Sequence, residues 1–243
     1  MRFSLPRTLL GAVLRALLGA TLAAAAAGAI ASPTAPVEGA EYLTMGAPQP
    51  VQVNGKKIEV IEFFMYHCPH CNALEPSLAE WVKRQGENIE FKRVHFPYYG
   101  ANDPEAHLYL TLEAMKRLDL HEKVFHSIHV ERQRLNKDDA AIAWAVRNGI
   151  DQAKFLSFWK SMMVLTKLAN LNQLITNYKV DSAPIVIIDG RYQTSPAMVS
   201  HAVPGLSEAQ AAQAMSQVFD ALVAKARKAH GYTSPAPAKA AAK

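Results

Sequence analysis

Residues 57–74 read KIEVIEFFMYHCPHCNAL. Lys57 to Tyr66 is β-branched and aromatic and almost continuously apolar, which predicts a strand covered on both faces. Cys68 then opens a helix with Pro69 at its first position, where a missing N–H costs nothing. Leu74, Leu78, Trp81 and Val82 follow at helical spacing and form one buried face. Pro76 is expected to kink this helix. Ile89 to Phe96 (IEFKRVHF) alternates as a second strand, so the stretch and its continuation make a strand–helix–strand unit.

Beyond that unit, the periodicity predicts helices over Glu105–Leu118, His121–Val130, Asp138–Asn148, Gln152–Lys160 and Met163–Tyr178. Strands return at Pro184–Ile188 and Arg191–Thr194. Asp189-Gly190 between them is a strong two-residue hairpin signal. Ser207 to Lys228 reads as a last amphipathic helix with Ser207 as its N-cap. Ser32 to Pro50, punctuated by Pro and Gly, is expected to run extended over the surface. The order describes one α/β domain interrupted by helices: residues 32–98 and 172–230 form the sheet domain, and 99–171 the insertion. The Ala/Pro/Lys-rich tail 231–243 is expected to be disordered.

The N-terminus differs from the rest. Arg2 and Arg7 precede a Leu/Ala-rich run from Leu9 to Ile30 that Arg15 interrupts, and Ala29-Ile30-Ala31 is a small-residue exit. These are the marks of a cleaved secretory signal peptide over 1–31. Each uncharged piece falls short of the roughly 20 residues that span a bilayer. The chain carries 26 basic and 21 acidic residues; without Arg2, Arg7 and Arg15 the balance is 23 against 21. So weak and scattered an excess excludes nucleic acid as the main partner.

Export sharpens the meaning of the two cysteines, Cys68 and Cys71. Exported proteins use cysteines as staples, but a bond across three positions would staple nothing distant. A C-x-x-C at a strand-to-helix junction puts the first sulfur at the helix N-terminus, where free N–H groups favour a thiolate. His70 adds a donor or a positive charge beside it. Redox chemistry is one reading. The other is a soft-metal carrier using His67, Cys68, His70 and Cys71, although zinc sites normally draw a second ligand pair from elsewhere. Asn72 after Cys71 excludes the haem-attachment pattern.

Glu62-Phe63-Phe64 leading into Cys68-Pro69-His70-Cys71, with Ser182-Ala183-Pro184 ahead of the strand and Asp189-Gly190-Arg191-Tyr192 behind it, resembles the DsbA family of periplasmic thiol:disulfide interchange proteins. The resemblance covers about residues 58–232. It implies a thioredoxin-like fold with a helical insertion, an oxidase that donates a Cys68–Cys71 disulfide to reduced clients, and reoxidation by a quinone-linked membrane partner of the DsbB type. No cofactor is implied. Cys68 becomes the nucleophile, Cys71 the resolving thiol, Pro69 and His70 the intervening pair, and Pro184 a cis-proline facing the disulfide. An X-Pro bond is cis only about 5–6% of the time, so that assignment rests on the resemblance. Glu62 matches the family's buried acid and its proton-relay role. Glu59 and Glu62 are an odd number apart and so face opposite sides of the strand. Ala183, Pro184, His67 and Tyr98 form the expected client-binding set, with His95 and Tyr99 as further groove candidates. Ala183 stands where many relatives carry a bulkier residue. His107, His121, His126 and His129 belong to no motif and read as helix-face residues. A reductase or isomerase on the same fold is the nearest alternative. An isomerase needs a dimerisation module, none is legible before Pro50, and a monomer is expected.

Overall fold

The computed structural model describes residues 34–232. The expected signal peptide and the tail beyond Tyr232 lie outside the described residues. Five strands form one mixed sheet: β1 (Tyr42–Thr44), β2 (Ile58–Phe64), β3 (Ile89–His95), β4 (Ile185–Ile188) and β5 (Tyr192–Thr194), in the spatial order β1-β5-β4-β2-β3. β2 pairs parallel with β3, across the crossover helix α1 (Pro69–Gln85), and antiparallel with β4. Between β3 and β4 the chain makes α2 (Pro104–Ala114), α3 (His121–His129), α4 (Asp138–Arg147), α5 (Gln152–Trp159) and α6 (Met162–Tyr178). Two helices close the chain, α7 (Pro196–Ala202) and α8 (Glu208–Ala229). This is a thioredoxin-like fold with a helical insertion.

The apolar continuity of β2 has the cause its sequence suggested. All seven of its residues are buried. Ile58 and Val60 pack with Leu74, Leu78 and Trp81 of α1 and with Met215, Phe219 and Leu222 of α8. Ile61 and Phe63 point the other way, to Ile175 and Tyr178 of α6. Strand alternation therefore sends Glu62 to the α1 side and Glu59 to the α6 side, and both are buried. α6 serves both regions: its Val164, Leu168 and Leu171 join the insertion core, which also takes in Phe64, Tyr66, Cys68 and Cys71. The helical insertion is thus one wall of the cysteine site.

The Asp189-Gly190 turn is left-handed at both residues, with φ of 57° and 58°. Asp tolerates that region and Gly enters it freely. A Cβ on Gly190 would lie 2.4 Å from the Gln49 carbonyl oxygen. The segment before β2 is thereby held against the hairpin, and Gln49 N–H donates to Gly190 O at 2.8 Å. Ser207 caps α8, and a reciprocal bond from Gln210 completes a capping box.

Several expectations change. Residues 42–44 are not merely extended: they form β1, an edge strand on β5. Lys225 of α8 lies over the Tyr42 ring and donates to its hydroxyl. The short α7, capped by Ser195 and opened by Pro196, has no counterpart in the sequence reading. The first insertion helix ends at Ala114 rather than Leu118, and Lys116 follows at φ 56°. In α1 the helix runs on through Pro76. At the other end, Tyr232 of the expected tail stacks on His230 and packs against the α1–α8 core.

Candidate active site

Cys68 is the N-cap of α1, with extended backbone, and Pro69 follows at the first helical position. Cys68 as a residue is 7% exposed, whereas Cys71, one turn on, is fully covered. The structure holds the pair as a dithiol. The Cys68 thiol is drawn down to about 6 from an ordinary 9.0. The Cys71 S–H donating to it is the largest cause, followed on the same side by the backbone N–H groups of Cys71 and His70. The charge of His70 is the smallest of the named contributions. Burial opposes all of these. Cys71 is pushed the other way, far up, first by burial and then by donating a hydrogen bond to Cys68. One sulfur is ready to ionise and the other to stay protonated, which is the division of labour a dithiol exchange site needs.

Across from Cys68 lies the Ala183–Pro184 peptide bond, which is cis. Cys68 Sγ donates to the Ala183 carbonyl at 3.5 Å. A cleft of about 400 Å³ opens here, lined by His70, Ala183, Pro184, Ser195 and Glu208 among others. Ala183 is half-buried at the edge of this cleft. His67 and His70, which flank Cys68, are each turned toward a carboxylate. His67 Nδ1 lies 2.7 Å from Glu105 Oε2, and its backbone N–H donates to the same oxygen. His70 Nδ1 hydrogen-bonds Glu208 Oε1. Both imidazoles are raised above their ordinary value. For each, hydrogen bonding and charge attraction to the carboxylate outweigh burial. Among the described residues no three His, Cys, Asp or Glu side chains are grouped as a metal site.

A superposable crystal structure of Pseudomonas aeruginosa DsbA matches this architecture at a TM-score of 0.70, with 28% identity, over 79% of this chain and 95% of that one. The thiol:disulfide interchange protein DsbA of Bordetella pertussis is 38% identical over 198 residues, 81% of this chain and 90% of that protein. The chain belongs to the DsbA family. Its counterpart in Burkholderia cepacia is 36% identical over 184 residues, 74% of this chain and 85% of that protein. No protein-family model matches the chain. The protein is therefore a thiol:disulfide oxidoreductase.

Beneath the DsbA-family cysteine pair sits a buried charged cluster that only the fold assembles. Arg93 of β3 donates through Nε to Glu62 at 2.9 Å and through Nη2 to Glu75 of α1 at 2.6 Å. Burial pushes Glu62 up to about 7, against the pull of Arg93 and with the repulsion of Glu75. Glu62 Oε1 and Glu75 Oε2 have no hydrogen-bond partner among the described residues. The field of Glu62 reaches Cys71 and helps hold its proton on. A second assembly fixes Tyr66, two residues before Cys68. Its N–H donates to His95 Nε2 at 3.1 Å, its carbonyl accepts from His129 Nε2 at 2.8 Å, and its hydroxyl bonds His121 Nδ1 at 2.9 Å. His95 is fully buried in this role and lines no groove. His121 and His107 are also buried rather than on exposed helix faces; His107 stacks on Trp159 with ring centroids 3.5 Å apart. Tyr98 and Tyr99 are exposed, 63% and 45%, and both rings contact His67. They form an aromatic ledge one residue from the reactive sulfur.

Glu105, Glu75, Arg93 and Glu208 carry no local signal. Asp103-Pro104-Glu105 reads as a helix start, since Asp103 caps α2, but nothing in that motif indicates that Glu105 reaches back to His67.

Proposed function

We propose that the oxidised protein donates its Cys68–Cys71 disulfide to reduced, partly folded client proteins in the periplasm, to which a cleaved 1–31 signal peptide delivers it. The chain acts as a monomer without a cofactor, and a DsbB-type quinone-linked membrane protein reoxidises it. The observation that carries this reading is the pair itself: Cys68 at the N-cap of α1 facing the cis Ala183–Pro184 bond and Cys71 fully covered one turn on, an arrangement that draws Cys68 down to about 6 and pushes Cys71 up. Among the described residues no helix is long and apolar enough to cross a membrane.

The chemistry follows from that asymmetry. A client thiolate attacks Cys68 Sγ; the Cys68–Cys71 bond breaks and its electron pair goes to Cys71 Sγ, which takes up a proton. Glu62, poised near neutrality on the α1-facing side of β2, supplies that proton through the buried cluster. The client, now linked to Cys68, sits in the cleft with its backbone along Ala183 and the cis-Pro184, and its neighbouring side chains against His67 and Tyr98. A second client thiolate attacks the client sulfur of the mixed disulfide. Cys68 leaves as a thiolate, and a leaving thiol of low pKa leaves faster. The client has been oxidised by two electrons and the protein reduced by two.

Cysteine variants test the assignment. Cys71→Ser leaves a reactive Cys68 with no internal partner, so covalent client adducts accumulate on non-reducing gels. Cys68→Ser should carry none. Adducts on Cys68→Ser and not on Cys71→Ser would reverse the roles.

A further inference from the structure

Glu208 belongs to neither motif and lies 138 residues from His70 in the chain, yet its carboxylate hydrogen-bonds His70 Nδ1. It is the first residue of α8, where the cap is made by Ser207 and Gln210 without it. A carboxylate in the first turn suits the helix dipole, but the cap does not require it to reach His70. His70 and Glu208 side chains are 65% and 51% exposed and sit together in the wall of the cleft beside Ala183 and Pro184. The charged and titratable groups facing His70 are Glu208, from α8, and Cys68, from its own turn. We infer that Glu208 is a positioning residue that orients His70 and holds its charge beside the Cys68 sulfur, making the protein a stronger oxidant.

The inference rests on the oxidase reading and deepens it. Its sign makes it sharp. Acting directly, a carboxylate near Cys68 repels the thiolate and favours the thiol. Acting through His70, the same carboxylate favours the imidazolium, and the imidazolium favours the thiolate. Only the second route predicts that removing the carboxylate weakens the oxidant. The pair is solvent-exposed, so the effect is modest and is screened by salt.

The experiment compares full-length wild type, Glu208→Gln, His70→Ala and the double variant. For each, the equilibrium with reduced and oxidised glutathione, the Cys68 thiolate absorbance and, where His70 is present, its NMR titration are measured. Glu208→Gln should lower the equilibrium constant for oxidising glutathione by about two- to five-fold at low salt, the range of an exposed ion pair. It should move the His70 titration down and the Cys68 titration up, and high salt should shrink the difference. In the His70→Ala background the same substitution should leave the equilibrium unchanged or shift it slightly the other way. Glu208→Ala, with matching thermal melts, guards against a folding artefact. A stronger oxidant on Glu208→Gln, an equal effect in both backgrounds, or no effect in either overturns the inference. A wild type that equilibrates as a reductant overturns the oxidase reading instead, and is visible before any variant is compared.

Discussion

The Cys68 thiolate should make the reduced protein's stability depend on pH in a way that replacing one residue abolishes. The perturbation is Cys68→Ala, compared with reduced wild type from pH 5 to pH 8. Cys68 is depressed from an ordinary 9.0 to about 6 and is 93% covered. A depressed folded pKa contributes stability that is complete above the unfolded value and lost as pH falls through the folded one. The window therefore opens near pH 6 and extends to pH 9. At pH 5 the thiolate contributes almost nothing. At pH 7 it contributes about 1.4 kcal/mol and at pH 8 about 2.7 kcal/mol, from 1.36 kcal/mol per unit. In a two-electron couple the pH 7 figure is about 30 mV toward greater oxidising power. Packing lost with the sulfur adds a constant offset that drops out of the slope, and Cys71 is common to both proteins. Denaturant unfolding at each pH, with reductant present, gives the difference directly. A difference that is flat from pH 5 to pH 8 would refute the reasoning, because Cys68 would then titrate as an ordinary thiol.

Glu62→Gln keeps the shape but removes the group poised near 7. The rate of client transfer should fall and lose its inflection near pH 7, as single-turnover kinetics across pH 5–9 would record. His95 and His121 are both held down to about 3 by burial. Their unfolded forms take up protons first, so stability should fall as pH drops below about 6.5, by roughly 2 kcal/mol per histidine at pH 5. Unfolding of His121→Gln at pH 7 and pH 5 should show an acid loss about 2 kcal/mol smaller than that of wild type. Gly190→Ala forces a Cβ onto the Gln49 carbonyl at a left-handed φ, and should cost about 1–3 kcal/mol in a urea melt with little change in thiol titration.

Much of the frame was legible because its signals are local. The apolar run of β2 into Cys68-Pro69 marks a buried strand and a helix start within twelve residues, and Asp189-Gly190 and Ser207 mark a turn and a cap by their own chemistry. β1 escaped because three residues on a sheet edge carry no period. Its partner β5 lies about 150 residues away, with Tyr42 opposite Thr194. α7 escaped for a related reason: Ser195-Pro196 opens it, but seven residues are too few to display a helical face. The cysteine pair was legible as chemistry, while the groups that tune it were not. Glu105, Glu208 and Arg93 reach the site across 38, 138 and 31 positions. The clamp on Tyr66 joins β3 to α3, and no spacing rule connects His95 with His121 and His129. The sequence reading set His70 and the helix terminus foremost in activating Cys68. The structure gives the larger share to the Cys71 S–H, which a helical-turn spacing permits but does not rank.

The direction of electron flow is tested most directly by mixing the fully oxidised protein with an equimolar reduced client, in the absence of oxygen and of any other oxidant, and counting thiols on both partners after acid quench. The expected result is one client disulfide formed for each Cys68–Cys71 disulfide lost. A client that keeps its thiols beside a protein that keeps its disulfide would contradict the account.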